Sequence, residues 1–315
     1  MKNAITATFN TGEYHGYNVK YSPFRRNLLA CASSQNYGIA GRGQLFVLDV
    51  ESQDVRCVAI REWTDGLFDV TWSEVNPQLL VTSCGDGSIQ LWDYISSIEP
   101  VAFYKIHEKE VYSIDWNPKN NYSYILSASW DGTVKVWNPF AAKEVAAFVE
   151  HTDQVYEATW CPHCPEIFAS VSGDGTMRMW DVREPKRSNG IYPHGTEVLC
   201  CDWGKYDSDV IATGTNDGKI QGWDIRKMQG PLFMLVGHEY AIRQLKFSPF
   251  LRGSLASVSY DFTTRFWNWN IPHALQIHKE HKEFVYGIDF NPLKPGQACD
   301  CAWDSLLHVY SDSVP

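Results

Sequence analysis

His107, Ser127 and Asp131 are the side-chain types of a base, a nucleophile and an orienting acid, and Trp137 follows them. The set returns as His151, Ser170, Asp174 and Trp180, as His194, Thr213, Asp217 and Trp223, and as His238, Ser257, Asp261 and Trp267. Acyl-transfer chemistry needs one nucleophile in one pocket. Four equivalent copies argue instead for architecture, and no enzyme is expected.

Cys161-Pro162-His163-Cys164 could do redox chemistry if its first cysteine opened a helix, where a thiolate is stabilised. It stands instead after Trp160, where other copies carry Asn-Pro or Ser-Pro, and reads as a turn. Zinc would need a second ligand pair, and Cys299 and Cys301 lie far along the chain with one residue between them. The 9 cysteines are irregularly spaced and odd in number, which suits a reducing compartment rather than a disulfide scaffold. Gly41-Arg42-Gly43 is a weakened hairpin turn, not a phosphate cradle. No metal and no cofactor are expected.

The elements that must hold these residues are short and β-rich. Runs such as Tyr124-Ile125-Leu126-Ser127 and Thr133-Val134-Lys135-Val136-Trp137 flank Asp131-Gly132, a strong hairpin signal. The 315 residues are 44% hydrophobic and 14% aromatic, so a packed core is expected. No apolar run is long enough to span a membrane, and the first ten residues lack the apolar stretch of a secretory signal. A net charge of −10 argues against nucleic acid as a partner.

The chain repeats itself. Three weaker copies join the four above: one from Leu67 to Trp92-Asp93, one from His281 through Phe290-Asn291-Pro292 to Tyr310, and a degenerate first one through Tyr21-Ser22-Pro23 to Leu48-Asp49. The closing aromatic or its substitute falls at 48, 92, 137, 180, 223, 267 and 310. This period and pattern resemble WD40 repeats. The resemblance implies an all-β, seven-bladed propeller forming a single domain over residues 1–315. It also implies that residues 4–11 supply the outer strand of the last blade and close the ring. The four His/Ser-or-Thr/Asp/Trp sets then become structural tetrads, buried hydrogen-bond chains worth roughly 0.5–1.5 kcal/mol per bond.

In such a propeller the connections into the innermost strands and the turns carrying the repeat Asp open onto one face, around the channel mouth. The six residues after each repeat His, or its equivalent, hold ten acids against Lys109, Arg243 and Lys282. They account for −7 of the chain's −10. Bases gather on the opposite face: Arg25, Arg26, Lys119, Lys143, Arg183, Lys186, Arg187, Lys205, Arg226, Lys227 and Arg252. Family propellers project the residue after the strand-start apolar position onto the mouth. Here these are Tyr17, Phe68, Tyr112, Tyr156, Leu199, Arg243 and Tyr286, joined by Trp130, Tyr260 and Trp303 from the turns. Aromatics among carboxylates suit a ligand with one apolar face and one or two cationic groups. A solvated acidic rim with aromatics packed between blades is the alternative.

Finer stretches resemble the peroxin-7 family, receptors for the type-2 peroxisomal targeting signal. They include Asp65-Gly66-Leu67-Phe68-Asp69-Val70-Thr71-Trp72-Ser73, Tyr37-Gly38-Ile39-Ala40-Gly41, Tyr240-Ala241-Ile242-Arg243, and Tyr260-Asp261-Phe262-Thr263-Thr264-Arg265-Phe266-Trp267-Asn268. The resemblance implies a soluble cytosolic receptor that cycles to the peroxisomal membrane and matrix without inserting into the bilayer. Its ligand would be an N-terminal nonapeptide of cargo enzymes: a basic residue, an aliphatic one, five variable residues, His or Gln, then Leu or Ala. As a helix, this peptide is basic and amphipathic. Expected partners are a co-receptor, either the long form of the type-1 signal receptor or a fungal-type equivalent, and the peroxisomal docking complex. Candidate carboxylates for the basic residue are Asp69, Glu110 and Glu157, with Glu197 beside them; Phe68, Tyr112, Tyr156, Leu199 and Tyr286 would take the aliphatic side chains. A competing reading rests on Trp180-Asp181-Val182-Arg183 and Trp223-Asp224-Ile225-Arg226, which resemble the motif that docks substrate receptors on a cullin ubiquitin ligase.

Overall fold

The computed structural model describes residues 5–51, 54–119, 123–227 and 230–311. They form seven four-stranded antiparallel sheets arranged as a propeller. The blades are I (15–63), II (67–105), III (111–148), IV (155–193), V (198–236), VI (242–278) and VII (285–311). Blade VII takes its fourth strand from the other end of the chain. Ile5–Asn10 pairs with Leu306–Ser311, placing Thr8 opposite His308, as the WD40 resemblance implied for residues 4–11, of which residue 4 lies outside the described residues.

The apolar cores lie between neighbouring blades. Leu45 and Val47 of blade I pack with Val70, Trp72 and Leu80 of blade II. Met177 and Met179 of blade IV meet Cys201 and Trp203 of blade V. Blade VII reaches blade I through Leu307 and Val309 against Val19, Leu29 and Leu48. Burying each such side chain stabilises the ring by roughly 1.5–3 kcal/mol.

Two backbone features repeat around the ring. Gly87, Gly132, Gly175 and Gly218 turn the Asp-Gly hairpins at positive φ, and Phe262 and Ser305 hold the same place in blades VI and VII at φ 67 and 66. A side chain there costs about 1 kcal/mol that glycine does not. Each innermost strand also carries a bulge near its start, and the residue left without a partner is Tyr17, Phe68, Tyr112, Tyr156, Leu199, Arg243 or Tyr286. The bulge breaks strict alternation and aims this residue at the channel mouth.

At six of the seven joints between blades a carboxylate or amide side chain accepts from a backbone N–H of the next blade. Asp69 accepts from the Ile114 amide at 2.8 Å, Glu157 from Cys201 at 3.0 Å and Gln244 from Ile288 at 2.7 Å. Between these, Asp115 accepts from Trp160 at 2.9 Å, Asp202 from Phe247 at 2.7 Å and Asp289 from Tyr21 at 2.8 Å. The first three sit two residues after the strand start and the others two residues deeper, so the levels alternate from joint to joint. Seven is odd, and strict alternation cannot close. The joint that breaks the pattern is I/II, where the Asn18 amide donates to the Asp69 carboxylate instead of accepting from a backbone N–H of blade II.

Candidate functional site

The seven bulged residues converge as a plug. Tyr17, Phe68, Tyr112 and Tyr286 are buried together, with Trp130, Tyr156, Tyr260, Phe284 and Trp303 packed around them. Tyr286 stacks on Trp303 at 4.6 Å and Tyr112 on Trp130 at 5.0 Å, while Tyr17 lies 4.9 Å from both Phe68 and Tyr286. Leu199, at the same bulge position of blade V, is buried as well. The Arg243 guanidinium reaches the centre, 4.6 Å from the Tyr112 ring and 5.2 Å from Tyr286. Burial opposes its charge, which the faces of these rings and the Glu157 carboxylate offset.

Two expected ligand carboxylates are corrected here. Asp69 and Glu157 do not stand on the rim; both are buried below the plug and bridge blade joints, and Glu157 also binds the Lys246 ammonium at 3.3 Å. The residue after a bulge is turned along the channel wall towards the next blade's free amide, which strict alternation does not reveal. Burial pushes the Asp69 carboxyl up to about 6, against the pull of Lys20 and of its backbone donors. The rim acids that remain are Glu13, Asp65, Glu108, Glu110, Asp153, Glu197, Glu239 and Glu283. Glu197 is close enough to Tyr156 to help burial raise its phenol to about 12.

The rim has two unlike arcs. Its apolar groups gather over blades VI, VII and I, among Glu13, Glu239, Glu283 and Lys282: Tyr240 and Tyr37 are exposed, and Phe262 packs on Phe284, which lies 4.5 Å from Tyr260 and 5.4 Å from Trp303. Tyr37 stacks on His15 at 4.0 Å, and its carbonyl accepts the Tyr17 hydroxyl. Over blades II to V the rim carries Asp65, Glu108, Glu110, Asp153 and Glu197 against the single Lys109. Phe284 escaped the sequence reading because it precedes the strand start, where the repeat pattern sets no residue type.

The tetrads differ from one another. In blades IV and VI the chain is complete: His151 bonds Asp174 and Ser170, each at 2.7 Å, and Trp180 donates to Ser170 at 2.7 Å. His238 likewise bonds Asp261 at 2.8 Å and Ser257 at 2.7 Å, and Trp267 donates to Ser257. In blade III, His107 reaches Asp131 and Ser127, but the Trp137 indole N–H has no partner; a register slip between Val136 and Trp137 turns it away. In blade V, Asp217 is not joined to His194, whose Nδ1 bonds the Tyr192 carbonyl instead. Burial without that carboxylate lowers the His194 imidazole to about 4. Trp137 and Asp217 therefore leave the expected sets.

Beneath the plug, the far end of the channel opens into a cavity of about 260 Å³ lined by Lys20, Glu74, Asp115, Asp202, Lys246 and Asp289. Burial and the Asp115 charge raise the Glu74 carboxyl to about 7. In the turn at 161–164, burial raises the Cys161 thiol, the reverse of what a redox nucleophile needs. Arg183 and Arg226 fold back onto Asp181 and Asp224, two residues earlier in the chain. No helix among the described residues is long and apolar enough to cross a membrane.

The family model for the WD domain, G-beta repeat, matches residues 44–93, 98–138, 142–181, 186–224 and 229–268. A mouse protein named peroxisomal targeting signal 2 receptor is 56% identical over 297 residues, covering 94% of this chain and 93% of its own. The human protein of that name is 57% identical over 275 residues, covering 87% and 85%. Peroxisome biogenesis protein 7 of Arabidopsis thaliana is 44% identical over 306 residues, covering 96% of each.

Proposed function

The chain belongs to the family of peroxisomal targeting signal 2 receptors, and from that membership we propose that it takes the N-terminal targeting nonapeptide of matrix enzymes on its propeller mouth. The concentration of aromatic rings on one arc of the rim, and of five acids against one lysine on the other, carries the reading. Positions one and eight of the peptide, and positions two and nine, are seven residues apart and share one helical face. Laid across the mouth, the aliphatic pair rests on Trp303, Phe284 and Tyr260, and the basic residue turns towards Glu110 and Glu197. The plug beneath is closed, so the peptide lies on it rather than threading the channel.

Half of a short helix laid on this shallow surface still faces water. A co-receptor, the long form of the type-1 signal receptor or a fungal-type equivalent, covers that half. The assembled complex then docks at the peroxisomal membrane, and the receptor returns to the cytosol.

Binding of a fluorescent nonapeptide, with and without co-receptor, tests this. Glu110→Lys and Glu197→Lys each weaken binding about tenfold, the worth of one charge contact, without lowering the melting temperature. A peptide whose first basic residue is replaced by Glu does not bind. Absence of binding by the unaltered receptor with co-receptor present overturns the reading.

A further inference from the structure

Blade VII departs from the other blades in a way that creates donors for a metal. Its repeat histidine, His281, bonds the turn carboxylate Asp304 through Nδ1 at 3.0 Å, like the histidines of blades IV and VI. Its Nε2, however, meets not a hydroxyl but the Asp300 carboxylate, at 3.1 Å. Where blades III to VI carry Lys135, Arg178, Gln221 and Arg265, this blade carries a second histidine, His308. His308 is 4% exposed, its ring lies 4.2 Å from that of His281, and its Nδ1 has no hydrogen-bond partner.

The ligating atoms of His281, Asp300 and His308 all lie within 4.8 Å of one another. Both ring nitrogens of His281 face carboxylates, so without metal the ring is an imidazolium that offsets one of the two charges of Asp300 and Asp304; a divalent cation in place of its Nε2 proton balances both. The supporting bonds are those a metal site uses. Asp304 holds the Nδ1 proton of His281 in place when Nε2 exchanges its own for a metal, and the Tyr310 and Thr264 hydroxyls hold the other oxygen of Asp300.

We propose that His281 Nε2, Asp300 Oδ1 and His308 Nδ1 bind one divalent cation of the zinc class within the closing blade. Two imidazole nitrogens and a carboxylate oxygen suit zinc rather than magnesium or calcium. The two rings face each other at 24°, so binding turns one of them about its Cβ–Cγ bond. His308 loses least by turning, since its Nδ1 has no hydrogen bond and only approaches Asp300 Oδ1 at 3.9 Å. The ion ties together the connection before the innermost strand, the second strand and the third strand, whose outer edge carries Ile5–Asn10. The cysteines weighed for zinc in the sequence are not part of this site.

The test uses the full chain, supplied with zinc chloride and dialysed against metal-free buffer. The unaltered protein retains one equivalent of zinc by mass spectrometry. His308→Phe, which keeps the stacked ring but removes the ligand, retains almost none, and Cys57→Ser with Cys164→Ser retains the full equivalent. If His308→Phe does not fold, cobalt loaded into the unaltered protein decides: the site gives a visible ligand-field band without thiolate charge transfer. Failure to retain zinc, retention undiminished in folded His308→Phe, or a thiolate band overturns the proposal.

Discussion

The Arg243 guanidinium of blade VI lies over the Tyr112 ring of blade III, 4.6 Å from its centroid. These blades are not neighbours; the contact crosses the mouth and links the plug to the far side of the ring. A desolvated cation–π contact contributes about 2 kcal/mol. Arg243→Met therefore lowers stability by about that amount in chemical denaturation, and Arg243→Lys recovers part of it. An unchanged midpoint in Arg243→Met would show that the contact is idle.

Phe262 occupies a left-handed turn position that four other blades give to glycine, and its ring joins the apolar arc of the mouth. Strain kept at one place points to a use for the side chain. Phe262→Gly relieves about 1 kcal/mol of strain and raises the melting temperature, yet weakens nonapeptide binding. Unaltered binding would remove Phe262 from the site.

The complete and incomplete tetrads should differ in acid. The His238 bond and other donors outweigh burial and hold Asp261 below the usual carboxylate range. Its contribution is present above the unfolded value near 3.8 and is lost as pH falls towards the folded one. Asp261→Asn costs about 2 kcal/mol at neutral pH, and about a third of that cost is gone near pH 3. Asp217→Asn, away from its histidine, costs about 0.5 kcal/mol. Urea midpoints across the acid range check both, and equal costs at neutral pH contradict the assignment.

Glu74 has the opposite sign. A carboxyl raised from 4.5 to about 7 binds its proton more tightly when folded, so its contribution declines as pH rises between those values. Glu74→Gln leaves stability unchanged near pH 4 and raises it by about 1 kcal/mol near pH 8, allowing for the group's partial exposure. Parallel melting curves at the two pH values decide.

The seven blades and their closure were legible because the closing aromatic recurs with a nearly constant period and the Asp-Gly turns mark each hairpin. The mouth ring was legible for the same reason: the bulge falls at the same repeat position each time. What the sequence hid was the effect of that bulge on the next residue. Asp69 and Glu157 lie among rim acids in the chain but face backbone amides in space. Trp137 and Asp217 were hidden by local geometry, a register slip in one case and a competing carbonyl in the other. His308 was hidden because its meaning depends on Asp300, which lies on a different strand.

The pairing of Ile5 with Tyr310 makes the last blade depend on both ends of the chain. Bringing together segments about 300 residues apart costs roughly 5 kcal/mol of chain entropy before any contact is gained. During synthesis, six blades can be built while the first strand waits for a partner that does not yet exist. Until Leu306–Ser311 emerges, the ring is an open arc whose end blades bare apolar faces and whose strands Ile5–Asn10 and Gln297–Ala302 lack their partner, a ready substrate for chaperones and for aggregation. A plug assembled from bulges on every blade cannot be complete in that arc. Competence to hold a ligand at the mouth therefore arrives all at once, with the final strand, and never on a partly made chain.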